Sequence, residues 1–227
     1  MVDLMLPRRC LGCRRPGTAV CSACWASSGH PLQFRPDPCP PGFPTTWVAG
    51  RYDGVLREAV LAVKERGRSD LVALLGVALA GAVVRTAPGS GPVVLVPVPS
   101  TRAAVRRRGG DHMRLVAPRA AAELRNSGRP AAVLPALVLL RIPQDSAGLT
   151  AAERERNLDG ALAAASDTRR LSAGAHVVLV DDVVTTGTTL REGARALREQ
   201  AVQLSAAAVA GTVRRWAAPL SVCTLWY

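Results

Sequence analysis

The chain has 227 residues, of which 48% are hydrophobic, 20% charged and only 4% aromatic, with a mean hydropathy of +0.15. That is enough for one sizeable α/β domain plus a small appendage, built on a core of Ala, Val and Leu. No apolar run free of charge or proline reaches the roughly 18 residues that span a bilayer, and the opening residues lack the apolar stretch of a signal peptide. The expectation is therefore a cytoplasmic protein without membrane insertion. The formal net charge of +12 is carried almost wholly by arginine, Lys64 being the sole lysine. Such an excess points to polyanionic partners or phosphorylated ligands, or simply to a surface on which arginine is the usual cation.

The first motif is Cys10-Leu11-Gly12-Cys13 followed by Cys21-Ser22-Ala23-Cys24. Two Cys-x-x-Cys turns fit a tetrahedral four-thiolate zinc site, because each turn lets two sulfurs reach one ion. Such a zinc would be structural, since four thiolates leave no open position. Two disulfides or a redox pair are the alternative readings, the former disfavoured in a reducing compartment. Cys39 lies in the proline-dense Pro36–Gly42 linker, which cannot be a helix, and Cys223 falls in an apolar tail.

Val55, Leu56, Ala59, Val60 and Val63 share one helical face, on a helix that carries Lys64 and ends at Gly67. Lys64 is either one more solvated cation or a place where a compact point charge is needed rather than a planar fork. Ser69 or Asp70 is expected to cap a second helix from Leu71 to about Val84. Val93–Pro99 reads as a core strand running into a loop stiffened by Pro97 and Pro99, which presents Ser100, Thr101 and Arg102. Arg106-Arg107-Arg108 beside Gly109-Gly110 could grip phosphate bidentately or form a solvated basic turn. Asp111 is placed to cap a helix from about His112 to Ser127, and His112 by itself carries no assignment.

Val133–Leu140 reads as a strand interrupted by Pro135. The polar stretch Arg141–Asn157 reads as a flap over a site or as a surface crossover, with a capping-box pattern at Thr150–Glu153. The central stretch is Val177–Leu190. Four apolar β-formers lead to Asp181-Asp182, then to Thr185-Thr186-Gly187-Thr188-Thr189, then to a helix whose apolar face is Leu190, Ala194, Leu197 and Ala201. Ligands of open α/β sheets bind at the C-terminal strand ends. A Gly/Thr loop entering a helix offers N–H groups, hydroxyls and a positive dipole end to phosphate. The stretch suits a ligand with a phosphate at one end and a diol or metal beside it. Leu204–Val213 supplies a further strand, and the strand–helix alternation predicts a mainly parallel sheet. Neither a P-loop nor a dinucleotide fingerprint is present.

Val178–Thr189 resembles the motif by which type I phosphoribosyltransferases bind 5-phosphoribosyl 1-pyrophosphate (PRPP). From Cys10 to about Val213 the chain resembles the ComF family, which is associated with DNA uptake in competence. The likeness rests on the Cys-x-x-Cys pairs, Tyr52-Asp53-Gly54 with Lys64 and Gly67, Val96–Pro99, Arg108-Gly109, and Arg154 to Gly160. It implies a type I phosphoribosyltransferase fold over residues 46–227, behind a zinc ribbon and linker over residues 1–45. By the same resemblance Thr185, Thr186, Gly187, Thr188 and Thr189 would hold the 5′-phosphate. Asp181 and Asp182 would meet the ribose hydroxyls, directly or through Mg²⁺. Val98, Pro99, Ser100, Thr101, Arg102 and Arg108 would handle the pyrophosphate, with Lys64, Arg154 and Asn157 as further candidates. PRPP or a related ribose 5-phosphate is the implied ligand, and single-stranded DNA and DNA-uptake proteins are the implied partners. The chain departs from the family at Gly110-Asp111-His112, where Phe-Asn-Gln is usual, at Asp145-Ser146, and at Cys39, where a second cysteine pair is usual.

Overall fold

The strand–helix alternation folds into a mixed α/β structure, seen in a computed structural model that describes residues 8–141, 158–166, 171, 174–198 and 203–212. In order the elements are α1 (Ser22–Ala26), β1 (Leu32–Phe34), β2 (Thr46–Arg51), α2 (Gly54–Arg66), α3 (Val72–Thr86), β3 (Val93–Pro97), α4 (Arg102–Arg108) and α5 (Met113–Asn126). They continue with β4 (Ala131–Val133), β5 (Leu137–Leu139), β6 (Leu162–Ala164), β7 (His176–Val184), α6 (Thr188–Leu197) and β8 (Leu204–Gly211).

The main sheet runs β1-β2-β8-β7-β3-β4. Every pairing from β2 to β4 is parallel, and only β1 joins antiparallel. β7 and β8 are buried on both faces, which is why they read as continuous apolar runs rather than alternating ones. Val178 and Val180 of β7 face a core formed with α2, α3 and α5. Val177 and Leu179 face the opposite core, shared with Leu190, Ala194 and Leu197 of α6 and with Phe34. The small side chains of Ser205–Ala208 on β8 let both helical layers approach closely, which suits a chain with so few aromatics.

Ser69–Thr86 has the length and apolarity of a membrane-spanning helix. In this fold it is a core element, with Leu75 and Leu79 almost fully buried; burying such a leucine contributes about 2 kcal/mol.

Two local expectations are corrected. Neither Ser69 nor Asp70 caps α3: a 3-10 turn over Ser69–Leu71 precedes it. The Asp70 carboxylate is drawn to Arg68 at 2.7 Å and Arg8 at 3.7 Å instead. Val133–Leu140 is two strands rather than one. Pro135 cannot donate to a ladder, so β4 stays beside β3 while β5 leaves to pair antiparallel with β6.

The path of the chain fixes where a crevice must open. From β3 it proceeds outward to β4; from β7 it proceeds the other way to β8. The C-terminal ends of β3 and β7 thus form a topological switch point, the place where open α/β sheets bind ligands.

Candidate functional site

Both loops that leave this switch point carry expected site residues. After β3, the Val98 N–H bonds to the Val180 carbonyl at 3.0 Å, so the loop emerges beside the acidic pair. Val98 is buried, and Pro99 and Ser100 are partly so. Thr101 caps α4 by accepting the Ala104 N–H at 3.2 Å. Arg102 opens that helix and Arg106, Arg107 and Arg108 form its last turn, so the basic run is helical rather than a loop. Arg106 and Arg107 are exposed. Arg108 is largely covered and lies 3.5 Å from Glu65 of α2.

On the other side, Asp181 and Asp182 lie within β7, which extends past them to Val184. Thr185 and Thr186 form the turn, and α6 begins at Thr188. Gly187 is left-handed, with φ of 76°. A Cβ there would stand 2.5 Å from the Phe43 ring, so glycine is demanded by backbone and by space. Thr186 and Thr188 share a hydroxyl contact of 2.9 Å. The first N–H groups of α6, from Thr188 and Thr189 onward, have no intrahelical acceptor and point out of its positive end. The linker lies over this turn through Pro36 and Phe43. A separate hollow lined by Gln33, Arg35, Cys39 and Phe43, among others, opens on the linker side.

The electrostatics of the acidic pair are asymmetric. Burial, and then the neighbouring Asp182 charge, push the Asp181 carboxyl up to about 8. Burial also works against the Asp182 charge, but His112 and Lys64 outweigh it and hold that carboxyl below the usual range. Lys64 Nζ lies 2.6 Å from Asp182 Oδ2, and His112 Nε2 lies 2.7 Å from the same oxygen. A carboxyl strained toward its neutral form by desolvation and a like charge is what a cation or a pair of hydroxyls would relieve. Asp181 therefore fits a divalent cation or a diol.

His112 is the residue the sequence did not single out. Its one signal was position: it stands just before α5, where a side chain can reach back across the sheet end. Asp111 is satisfied locally, accepting the Met113 N–H at 3.2 Å. Arg154 and Asn157, with the expected flap and capping box, lie outside the described residues, as does Cys223.

At the other end of α2, the sulfurs of Cys10, Cys13, Cys21 and Cys24 lie within 4.8 Å of one another. Cys21 Sγ is 3.7 Å from both Cys10 and Cys13. A disulfide requires about 2.05 Å, whereas a tetrahedron with bonds of about 2.3 Å has edges near 3.8 Å. The spacing is that of a four-thiolate metal site. The backbone N–H of Cys21 draws the Cys10 thiol down to about 6, while the side chain of Cys21, burial and the other thiols push Cys24 up to about 12. Cys39 is a free thiol in the hollow described above.

Residues 75–222 match a family described as the phosphoribosyl transferase domain. The match covers more than half of the chain and takes in both loops of the switch point. No curated protein matches the chain.

Proposed function

Since the chain belongs to the phosphoribosyl transferase domain family, we propose that it is a ComF-type protein that binds PRPP, or a related ribose 5-phosphate, and transfers the phosphoribosyl group. One observation carries this reading: an acidic strand end at a topological switch point runs through a left-handed Gly187 into the open N-terminus of α6. In this reading the N–H groups and hydroxyls of Thr185–Thr189 hold the 5′-phosphate. Asp181 and Asp182 serve the ribose diol, with Mg²⁺ held on the Asp181 side. The Val98–Arg102 loop and Arg108 meet the pyrophosphate, assisted by Arg154 and Asn157. Residues 46–227 form the transferase-like unit, and residues 1–45 the Cys-rich module and linker.

The chemistry asked of the protein is electrostatic. The C1–O bond to pyrophosphate breaks as the acceptor, a base or water, forms the new bond to C1 through an oxocarbenium-like transition state, so no covalent nucleophile from the protein is needed. The task is to hold the leaving anion and to place negative charge near the developing cation. Arg102 and Arg108 supply the first and the acidic pair the second. Mg²⁺, when bound, would neutralise the leaving group. Zinc on Cys10, Cys13, Cys21 and Cys24 would be structural.

A screen for pyrophosphate release from Mg–PRPP, with purine, pyrimidine or no base, tests the reading. Release with one base class, abolished by Asp181→Asn, supports it. No release under any condition, together with no PRPP binding, overturns it.

A second reading keeps the fold as a scaffold for single-stranded DNA, in line with the association of ComF proteins with DNA-uptake machinery. It is favoured by the exposed Arg106 and Arg107 on α4.

A further inference from the structure

The two carboxylates of the acidic strand do not stand in equivalent surroundings. Asp182 Oδ1 accepts the Val183 N–H at 2.7 Å. Its Oδ2 is approached by Lys64 Nζ at 2.6 Å and His112 Nε2 at 2.7 Å, and its side chain is only 8% exposed. Lys64 and His112 thus bring an ammonium and a ring nitrogen onto one buried oxygen that has no other partner among the described residues. A carboxylate offers about four acceptor positions, and here both oxygens are engaged from buried directions. Asp181 differs. Its Oδ1 accepts the adjacent Asp182 N–H at 2.8 Å; the charge of Lys64 reaches it too, but the close contact of that ammonium is with Asp182.

We propose that Lys64 and His112 form a latch on Asp182, acting as positioning residues that fix the end of β7 and leave Asp181 as the carboxylate that turns to the ligand. The latch joins three elements at one oxygen: the last turn of α2, the residue preceding α5, and β7. It accounts for the only lysine in a chain of arginines. Two donors converge on a single oxygen, which suits a compact ammonium; a guanidinium fork presents paired donors that seek two acceptors. It also gives His112 a task, since its side chain is 9% exposed and its Nδ1 is buried without a hydrogen-bond partner among the described residues. The nature of the ligand rests on the phosphoribosyl reading; the latch does not.

Two measurements on the full chain test the inference separately from that reading. The first is a thermal-unfolding cycle with His112→Ala, Asp182→Asn and Asp181→Asn. The latch predicts that His112→Ala and Asp182→Asn together cost clearly less than the sum of the two, because they break one interaction. His112→Ala and Asp181→Asn should add. Additivity with Asp182, or coupling to Asp181 instead, overturns the latch. The second is titration with Mg–PRPP. Removal of groups that orient a ligand-holding residue weakens binding about 10–100-fold, and that loss is expected for His112→Ala and Lys64→Ala. His112→Gln, which keeps an N–H donor and nearly the same volume, should restore most of the affinity. Lys64→Arg should not, although it keeps the charge. Full affinity in the alanine variants overturns the positioning role. A wild-type chain that takes up no Mg–PRPP overturns the phosphoribosyl reading and the ligand half of the inference, while the unfolding cycle still decides the latch.

Discussion

Asp181 sets the behaviour of the site with pH. Its carboxyl rises from 3.8 to about 8 on folding. A raised acid means that the folded state holds its proton more tightly than the unfolded chain. The stability cost is absent below about pH 4, grows as pH climbs from about 4 to about 8, and is constant above that. Asp181→Asn should therefore raise Tm by several degrees at pH 8.5 and leave it unchanged near pH 4; differential scanning calorimetry at the two values checks this. Asp182 works in the opposite sense: its depressed carboxyl stabilises the fold at neutral pH and loses that contribution as pH falls below the usual carboxylate range. Gly187 gives a second residue-level prediction. A left-handed backbone costs an alanine about 1–2 kcal/mol, and its Cβ would also displace Phe43. Gly187→Ala should lower both Tm and affinity for a 5′-phosphate, read by thermal unfolding and calorimetry. The acidic pair and Gly187 were legible in the sequence because their spacing is local. The role of His112 was not, since its partners Lys64 and Asp182 meet it only through the folded sheet.

At the scale of elements, α2 connects the two chemistries of the molecule. Near its start, Val55 lies where a side chain on Gly12 would fall, 2.7 Å from such a Cβ, as does Cys24 Sγ. Near its end stands Lys64, on Asp182. Leu11, Val20 and Trp25 pack against the core that α2 shares with α3, so the cysteine module is docked rather than tethered. The purified chain should carry one zinc, and chelation should change Trp25 fluorescence. A loss of about 2 kcal/mol would lower Tm by roughly 4–8 °C; an unchanged Tm on zinc removal would contradict docking. The helices and long strands were readable from periodicity, because each buries a continuous face. The split of Val133–Leu140 was signalled by Pro135, yet its consequence depended on β6, a strand of only three residues. The expected cap on α3 failed because two arginines compete for Asp70.

At the scale of the whole molecule, sheet order decides where function can sit. The sequence announced a parallel sheet through its alternating elements, but not the order β2-β8-β7-β3-β4 that brings the ends of β3 and β7 together. Order depends on long-range pairing that no local pattern records. The net charge of +12 bears on the second reading: if the arginine surface binds single-stranded DNA, gel-shift affinity must be present at low salt and fall steeply as salt rises. Flat salt dependence would exclude it. The proposed function places a phosphoribosyl ligand in the crevice between β3 and β7. A crystal structure of the chain grown with Mg–PRPP tests it most directly. The 5′-phosphate is expected on the N–H groups of Thr185–Thr189, the ribose beside Asp181, and Asp182 still held by Lys64 and His112. Ligand density in the linker hollow around Arg35 and Cys39, with the crevice between β3 and β7 empty, would contradict it.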